Sequence, residues 1–275
     1  MSGLTILGGT GFIGSHLVRR LRAMGVEHQK PERGADLRGQ DLGCLVYCVG
    51  ITADFRQRLL ETVDAHVCHL VSLLRDSQVS AIVYLSSTRV YRRTSSPALE
   101  TDPVVLSPLD HEDVYDISKV MGEAVTLAQP GRVHVLRLSN VYGNDTRSVN
   151  FLSSLLRDAV LTGDVVLRTS PTSVKDYVSI DDVVDVIVQV AGQGTRPIYN
   201  VASGRNVSHQ ALVDRIQELT GCRVSTTSGA PEVAQPLISI RNLQDEFDYR
   251  PASVLDDLPS LVQAFTEAAS GPSPR

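Results

Sequence analysis

The chain has 275 residues, of which 42% are hydrophobic and 21% charged, with a formal net charge of −5 at pH 7. This length fits one large α/β domain or one such domain with a small annex, and the acidic balance argues against a nucleic-acid-binding surface. No apolar run reaches the length of a membrane span, and the first residues lack the features of a signal peptide. The four cysteines include no CxxC pair, which favours a reducing cytoplasm. Together these features predict a cytoplasmic protein without membrane, nucleic-acid or metal partners.

Apolar runs typical of buried strands alternate with helical patterns along the chain. Strands are predicted at residues 4–7, 45–49, 81–85 and 133–138, with shorter candidates at 165–167 and 198–201. Helices are predicted at about residues 13–24, 62–77, 115–127, 149–161, 181–191 and 208–220. This alternation predicts βαβ units, and therefore an α/β fold with a Rossmann-type, doubly wound parallel sheet.

A glycine-rich loop joins the first predicted strand to the first predicted helix. Gly8, Gly11 and Gly14 have the spacing GxxGxxG, within the segment that also holds Thr10, Phe12 and Ile13. In such a loop the first glycine permits a tight turn, the second lets the backbone approach a pyrophosphate, and the third lets the helix pack closely on the strand. The free N–H groups at the start of the helix then face the phosphates. The loop therefore predicts binding of a dinucleotide, NAD or NADP.

The choice between the two dinucleotides depends on residues about 20 positions after the loop. Glu32 lies at that distance and favours NAD, because a carboxylate accepts hydrogen bonds from the adenosine ribose. Arg33 and Lys30 flank it and would instead attract the 2′-phosphate of NADP. NAD is slightly favoured, with an incidental solvated charge at Glu32 as the alternative.

Tyr115 and Lys119 are four residues apart and therefore share one face of a predicted helix. A nearby ammonium lowers the pKa of a phenol, so this tyrosine is expected to exchange a proton with a substrate hydroxyl or carbonyl. Ser87 and Thr88 follow the strand at residues 81–85, at the edge of the sheet where open α/β folds bind their ligands. A hydroxyl there is expected to hold the substrate oxygen; strand-end capping is the alternative.

Together these features resemble the short-chain dehydrogenase/reductase superfamily, and most closely its extended branch, the NAD-dependent epimerase/dehydratase family. The matching motifs cover most of the chain in the family's order: GGTGFIG (8–14), YLSSTRVY (84–91), YDISK (115–119), LRLSNVYG (136–143), KDYVSIDDVVD (175–185) and YNVASG (199–204).

The resemblance implies a role for individual residues. Ser87, Tyr115 and Lys119 would be catalytic, and Lys119 would also contact the cofactor. Ser87, Thr88, Tyr115 and Asn140 would face the substrate. The remaining cofactor contacts would come from Asp36 and Leu37 near the adenine, and from the strand end at Cys48 to Gly50.

Three departures from the family pattern stand out. Only three residues separate Glu32 from Asp36, where relatives have a helix and a strand, so the sheet is expected to be one edge βα unit short. His66 lies where relatives often have asparagine; a helical residue packed in the core is favoured over a polar contact near the active site. The usual Arg-Pro-Gly-Asp element is replaced, which leaves Arg168, Lys175, Arg205 and Arg241 as candidate diphosphate ligands.

The resemblance also limits the reaction. A 4,6-dehydratase needs a carboxylic acid after its catalytic threonine, whereas Thr88 and Arg89 occupy those positions here. The expected function is therefore an NAD(P)-dependent epimerase or ketoreductase acting on a nucleotide-activated deoxysugar. Reduction of a non-sugar ketone and non-catalytic sensing of a dinucleotide are the alternatives.

The resemblance also implies a domain division and an assembly state. Residues 1–145 would form the NAD(P)-binding domain, and residues 146–270 a small α/β substrate-binding part, with 174–200 returning to the first core. Residues 271–275 would be a disordered tail, and the protein would form a homodimer.

Overall fold

The structure is a computed structural model that describes residues 3–52 and 54–270. The strands are β1 (Leu4–Leu7), β2 (His28–Gln29), β3 (Cys44–Tyr47), β4 (Ala81–Ser87), β5 (Arg132–Leu138), β6 (Asn140–Tyr142), β7 (Asp164–Leu167), β8 (Val174–Ser179), β9 (Ile198–Val201), β10 (Asn206–Ser208) and β11 (Arg223–Thr226). The helices are α1 (Phe12–Ala23), α2 (Leu59–Val63), α3 (His69–Asp76), α4 (Asp113–Leu127), α5 (Phe151–Leu161), α6 (Ile180–Gln193), α7 (His209–Thr220), α8 (Arg241–Phe247) and α9 (Val254–Ser270). A π turn, Asp64–Cys68, joins α2 to α3.

A six-stranded sheet in the order β2-β1-β3-β4-β5-β9 forms the centre of the fold. Every neighbouring pair in it is parallel, so all six strands end at the same edge. The predicted Rossmann-type sheet is confirmed. The segments that follow β1, β3 and β4 consequently lie side by side along this edge. Open α/β sheets bind their ligands at such an edge.

The sheet ends early on one side. The two-residue strand β2 is its outer strand, and the chain returns to β3 on the far side of β1 without forming another strand. This agrees with the expected loss of one edge βα unit. An open groove of about 500 Å³ lies along this edge, lined in part by Leu4, Arg22 and His28. It adjoins the amino end of β1, on the opposite side from the strand ends that carry Ser87.

Both faces of the sheet are covered, because successive residues of a strand point in opposite directions. Ile6, Val46 and Val83 pack with α1 and α6 on one face. Leu7, Leu45 and Tyr84 pack with α3 and α4 on the other. α4, which carries Tyr115 and Lys119, is thereby fixed against β4, which carries Ser87.

The later part of the chain has a separate hydrophobic core formed by α5, α7 and α9 with β7 and β11. A second small sheet has the order β10-β8-β6, with β10 antiparallel and β6 parallel to β8. The domain division between residues 145 and 146 stays a prediction. Helices α8 and α9 were not predicted, and the expected disordered tail lies outside the described residues. Among the described helices, none is long and apolar enough to cross a membrane.

Candidate active site

The glycine loop is held by close backbone packing. Gly8 has φ of +77°, which favours glycine, and a Cβ there would lie 2.8 Å from the carbonyl oxygen of Cys48. A Cβ at Gly14 would overlap the carbonyl oxygen of Gly8. Two glycines of the motif are therefore required by the fold itself, because backbone atoms occupy the space that a side chain would need.

Gly11 differs from these two, because a side chain there would meet one backbone atom only and at a longer distance. A Cβ built there would meet only the Gly8 carbonyl oxygen, at 3.3 Å. Helix α1 begins directly afterwards at Phe12, with no side-chain cap and no acidic residue in its first turn. Its first N–H groups and its positive helix end are thus available to an anion. This cradle fits the pyrophosphate of a dinucleotide. Thr10 is exposed beside it, and Phe12 and Ile13 are half-buried.

The residues expected near the adenosine are exposed. Glu32 and Arg33 lie in the loop after β2, and Leu37 is half-buried. Asp36 forms an exposed ion pair with Arg38, whose hydrogen bonds hold the pKa of the carboxyl at about 2. Lys30 directly follows β2, and its aliphatic stem lies so close to Gly9 that a Cβ there would overlap it. Of the charged residues considered, Lys30 is therefore the one packed against the phosphate-binding loop.

Tyr115 lies on α4 with only 5% of its surface exposed. Its ring is 5.0 Å from that of Phe55 and 5.2 Å from that of His66, measured between centroids. Burial raises the pKa of Tyr115 to about 12, and hydrogen bonding to Ser87 offsets this only in part. Contrary to the expected lowering by Lys119, the pKa of Tyr115 is raised, because desolvation outweighs the hydrogen bond to Ser87 and the positive charge of Arg89.

Lys119 lies one turn further along α4 and is also buried. Its Nζ donates to the carbonyl oxygen of Leu85, at the end of β4, over 2.9 Å. Burial lowers the pKa of Lys119 to about 7, although the carboxylate of Glu123 acts in the opposite direction. A Cβ at Gly50 would lie 3.4 Å from this Nζ, so the turn after β3 borders the lysine. Cys48, at the start of that turn, is half-buried.

Ser87 and Thr88 lie where β4 ends, next to α4. The Oγ of Ser87 accepts a hydrogen bond from the backbone N–H of Arg89 at 3.2 Å, so it caps the following 3-10 turn and keeps its own proton to donate. Thr88 is buried. Asn140 donates to the backbone oxygen of Asp176 and to the side chain of Gln235. The structure therefore brings Ser87, Tyr115 and Lys119 together, while Asn140 is engaged with the second sheet.

Arg89 and Asp116 were not singled out as site residues by the sequence. The Arg89 guanidinium donates to the Glu112 carboxylate at 2.9 Å, and its Nε lies 3.1 Å from Asp116. Its carbon Cζ is 5.9 Å from the centre of the Tyr115 ring. Burial raises the pKa of Asp116 to about 7. A cation held by carboxylates thus borders the tyrosine. The sequence used Arg89 only to argue against a dehydratase and did not place it beside Tyr115.

Of the four cations considered for a diphosphate, Lys175 differs from the rest. Arg168, Arg205 and Arg241 are exposed, whereas Lys175 is half-buried on β8. Burial lowers the pKa of Lys175, and the positive charges of Arg89 and Arg56 add to this effect. Because those charges act on Lys175, it belongs to the same cationic surroundings as Arg89. In the described part of the chain, no cluster of His, Cys, Asp or Glu could hold a metal ion.

The chain is similar in sequence to known proteins. Residues 46–202 match the sequence model of the NAD dependent epimerase/dehydratase family. The chain is 24% identical to a dTDP-4-dehydro-6-deoxy-D-allose reductase of Streptomyces bikiniensis, over 96% of this chain and 97% of that protein. It is 21% identical to a UDP-glucose 4-epimerase of Lactobacillus helveticus, over 84% of this chain and 86% of that protein.

Two solved structures show the same fold. MoeE5 in complex with UDP-glucose and NAD superposes with a TM-score of 0.83 at 22% identity, covering 98% of this chain and all (100%) of that one. RMD from Pseudomonas aeruginosa complexed with NADPH gives a TM-score of 0.78 at 17% identity, covering 97% of this chain and 100% of that one.

Proposed function

Since the chain belongs to the NAD dependent epimerase/dehydratase family, we propose that it reduces the keto group of a nucleotide-activated deoxysugar with NAD(P)H. It is an enzyme of the short-chain dehydrogenase/reductase type. The observation that carries the proposal is the meeting of Ser87, Tyr115 and Lys119 at the strand ends, beside the open glycine cradle at Gly11. The retained tyrosine and lysine favour turnover over dinucleotide sensing.

The protonation of the site favours reduction. With a pKa of about 12, Tyr115 holds its proton at neutral pH and can donate it to the oxygen of a carbonyl that is becoming an alkoxide. The Ser87 hydroxyl, which hydrogen-bonds to Tyr115, would hold the same carbonyl oxygen when the substrate binds. Lys119, on the next turn of α4, orients the cofactor ribose by analogy with the family. When bound, the nicotinamide dinucleotide supplies the hydride.

The relatives support a nucleotide-linked sugar as the substrate. Two reductases of a dTDP-linked keto-deoxysugar match more than nine tenths of the chain. Lys175 is the residue we assign to the diphosphate, because it is half-buried and close enough to Arg89 and Arg56 for their charges to affect its pKa. A dehydratase is disfavoured, because Arg89 is a cation held by Glu112 at a position where that reaction needs an acid.

Epimerisation is the second candidate, favoured by the similarity to UDP-glucose 4-epimerase. It requires the first hydride to leave a carbinol while Tyr115 accepts the proton. With its raised pKa, the phenol of Tyr115 is protonated at neutral pH and starts as a proton donor, which supports the reductive direction.

Lys30 supports NADP(H) as the preferred cofactor. It follows β2 directly and its aliphatic stem lies against Gly9, although Lys30 is exposed, as is Glu32 two residues further along the chain. A lysine ammonium beside the phosphate loop attracts the additional 2′-phosphate of NADP. We therefore propose NADP(H), although the sequence slightly favours NAD.

A homodimer and a cytoplasmic location remain proposals. Met121 on α4 and Leu60 on α2 are 51% and 84% exposed, and the two helices pack against each other. Exposed apolar side chains on adjacent helices support an interface with a second copy. Sedimentation at several concentrations, with Met121→Lys as the interface variant, tests it.

The decisive experiment incubates the purified protein with dTDP- and UDP-linked keto-sugars and either NADPH or NADH. We expect net oxidation of the reduced cofactor, faster with NADPH, and a product sugar that carries a new hydroxyl group. Tyr115→Phe is the control for background reduction. Interconversion of two sugars without net cofactor oxidation would indicate an epimerase, and reduction of apolar ketones alone would overturn the sugar assignment.

A further inference from the structure

His66 lies at the centre of the π turn that joins α2 to α3, and it is completely buried. Two tyrosines of the central sheet hold this turn. Tyr47 donates its hydroxyl proton to the carbonyl oxygen of Ala65 at 2.7 Å, and Tyr84 donates to that of His66 at 3.2 Å. Since a π turn leaves helical carbonyls without their usual partners, these bonds fix the backbone of His66 against β3 and β4.

The imidazole of His66 makes two hydrogen bonds that together define its tautomer. Ser118 donates its only hydroxyl proton to the carbonyl oxygen of Tyr115, so its Oγ must accept from the His66 Nδ1, 2.8 Å away. The Nε2 atom then carries no proton and accepts from the backbone N–H of Ile51 at 3.3 Å. His66 is therefore a neutral imidazole that donates through Nδ1 and accepts through Nε2.

These two bonds connect separate parts of the active site. Ile51 belongs to the turn after β3, which borders Lys119 through Gly50. Ser118 lies on α4 between Tyr115 and Lys119, and the His66 ring packs edge-on against the Tyr115 ring. A Cβ at Gly50 would lie 3.1 Å from the His66 Nε2, so the turn and the imidazole are already in close contact.

We propose that His66 is a positioning residue that sets the distance between the Gly50–Ile51 turn and the Tyr115-bearing helix, so that both sides of the nicotinamide pocket are in place before the cofactor binds. The inference rests on the proposed function, because it assigns the turn to the cofactor and the helix to proton transfer. The hydrogen bond at Nε2 holds the Gly50–Ile51 turn, and the hydrogen bond at Nδ1 holds helix α4 through Ser118.

Geometry, and not proton transfer, is the contribution of His66. Burial lowers the pKa of His66 to about 2, and the positive charge of Lys119 adds to the effect. The chain of bonds from Nδ1 ends at a carbonyl oxygen, which has no proton to pass on. The imidazole therefore stays neutral over the whole working range of pH.

Two substitutions separate the two bonds. His66→Asn keeps an amide nitrogen near the place of Nδ1 but loses the acceptor for Ile51. His66→Gln keeps an oxygen near the place of Nε2 but loses the donor to Ser118. We expect His66→Asn to weaken NADPH binding about tenfold, as for the loss of one hydrogen bond to a buried N–H, with kcat nearly unchanged. We expect His66→Gln to lower kcat about tenfold and to shift its pH profile, with nearly unchanged NADPH affinity.

Ser118→Ala provides a second route to the same result, because it removes the Nδ1 partner without altering the imidazole. It should reproduce the kinetics of His66→Gln even if the histidine variants fold poorly. Thr126→Val, a buried substitution on the same helix, is the matched control and should change neither constant.

Calorimetric titration with NADPH and steady-state kinetics at several pH values give the required constants. Equal losses of melting temperature with native affinity and native kcat in all variants would overturn the proposal and leave His66 a core residue. If His66→Asn and His66→Gln changed the NADPH affinity and kcat in the same way, the assignment of separate roles to the Nε2 and Nδ1 bonds would be overturned. Failure of the unaltered protein to bind NADPH or NADH would overturn the proposed function, and this inference with it.

Discussion

The two ends of the candidate dinucleotide site are built in opposite ways. At the pyrophosphate and nicotinamide end, Gly8 and Gly14 are packed against backbone atoms, and Tyr115 and Lys119 are almost fully buried. At the adenosine end, the loop after β2 is exposed and includes the solvated ion pair between Asp36 and Arg38. The sheet also stops at β2 on that side.

Because of this difference, the residues proposed for the chemical step and the residues proposed to select the cofactor lie in different environments. In the buried end, a displaced atom has no free space and desolvation changes the pKa of each ionisable group. In the exposed end, charges act through water, are screened by salt and contribute modestly. Substitutions at the buried end are therefore expected to abolish function. Substitutions at the exposed end are expected to change the preference between NAD and NADP.

The largest effect is expected for Tyr115→Phe, which removes the proposed proton donor but keeps the ring. Turnover should fall about a thousandfold, because general acid catalysis typically contributes 10²–10⁴. The affinity for NADPH should remain nearly native. Both are measured by steady-state kinetics and calorimetry.

Tyr249→Phe is the control, because that hydroxyl donates to the Ala202 carbonyl oxygen in the hydrophobic core. Turnover by Tyr115→Phe close to that of the control would contradict the catalytic assignment.

Gly11→Val and Gly14→Ala test whether the glycines of the loop have different roles. Valine at position 11 should abolish dinucleotide binding and lower the melting temperature less than alanine at position 14, because its Cβ meets only the Gly8 carbonyl oxygen, at 3.3 Å, while its bulk fills the proposed phosphate cradle. Alanine at position 14 should lower the free energy of unfolding by about 2 kcal/mol, as for an overpacked site, because its Cβ meets backbone. Calorimetry and thermal unfolding distinguish them, and retained binding by Gly11→Val would refute the cradle.

Lys30→Glu tests the exposed end. We expect the ratio of NADP to NAD affinity to fall about tenfold at low salt and less at high salt, since exposed charges are screened. Titration with 2′,5′-ADP and with ADP measures the effect without any substrate. Arg19→Glu, an exposed charge reversal on α1, is the matched control. An unchanged ratio would remove Lys30 from cofactor selection.

The last test concerns the pH dependence of stability. Because the pKa of Lys119 is about 7 when folded, against 10.5 for a free lysine, the unfolded chain binds more protons between these values. This group therefore makes the free energy of unfolding rise with pH from about 7 toward 10, and its penalty is complete below pH 7.

Lys119→Met should remove this contribution, so the stability difference between variant and native protein should change steadily over pH 7 to 9. Denaturant unfolding at each pH measures it. A constant difference would show that the folded protein leaves the pKa of Lys119 unperturbed.

The prediction of secondary structure succeeded where a segment is long and periodic. β4, β5 and the helices α1, α4 and α6 lie within a few residues of their predicted positions. β2 was missed because its two residues, His28 and Gln29, are polar and pair only along one edge. α9 was missed although its apolar residues recur at helical spacing, and its internal Pro259 obscures that pattern.

Within the candidate site, the sequence predicts Ser87, Tyr115 and Lys119 as catalytic residues but not their environment. The sequence used Arg89 only as a sign that the acid of a dehydratase is missing. For His66, it favoured a residue packed in the core. Its burial is confirmed. Its hydrogen bonds to Ile51 and Ser118, however, join segments that are up to 52 residues apart in the chain.

The sequence by itself determined the features that depend on local geometry. Glycine spacing defined the loop after β1, and the interval between Tyr115 and Lys119 placed both on one face of α4. Only the tertiary structure decided how strongly each group is buried, which partners lock His66, and that Lys30 lies against Gly9. Desolvation and close contact depend on atoms from distant segments, so no local pattern contains them.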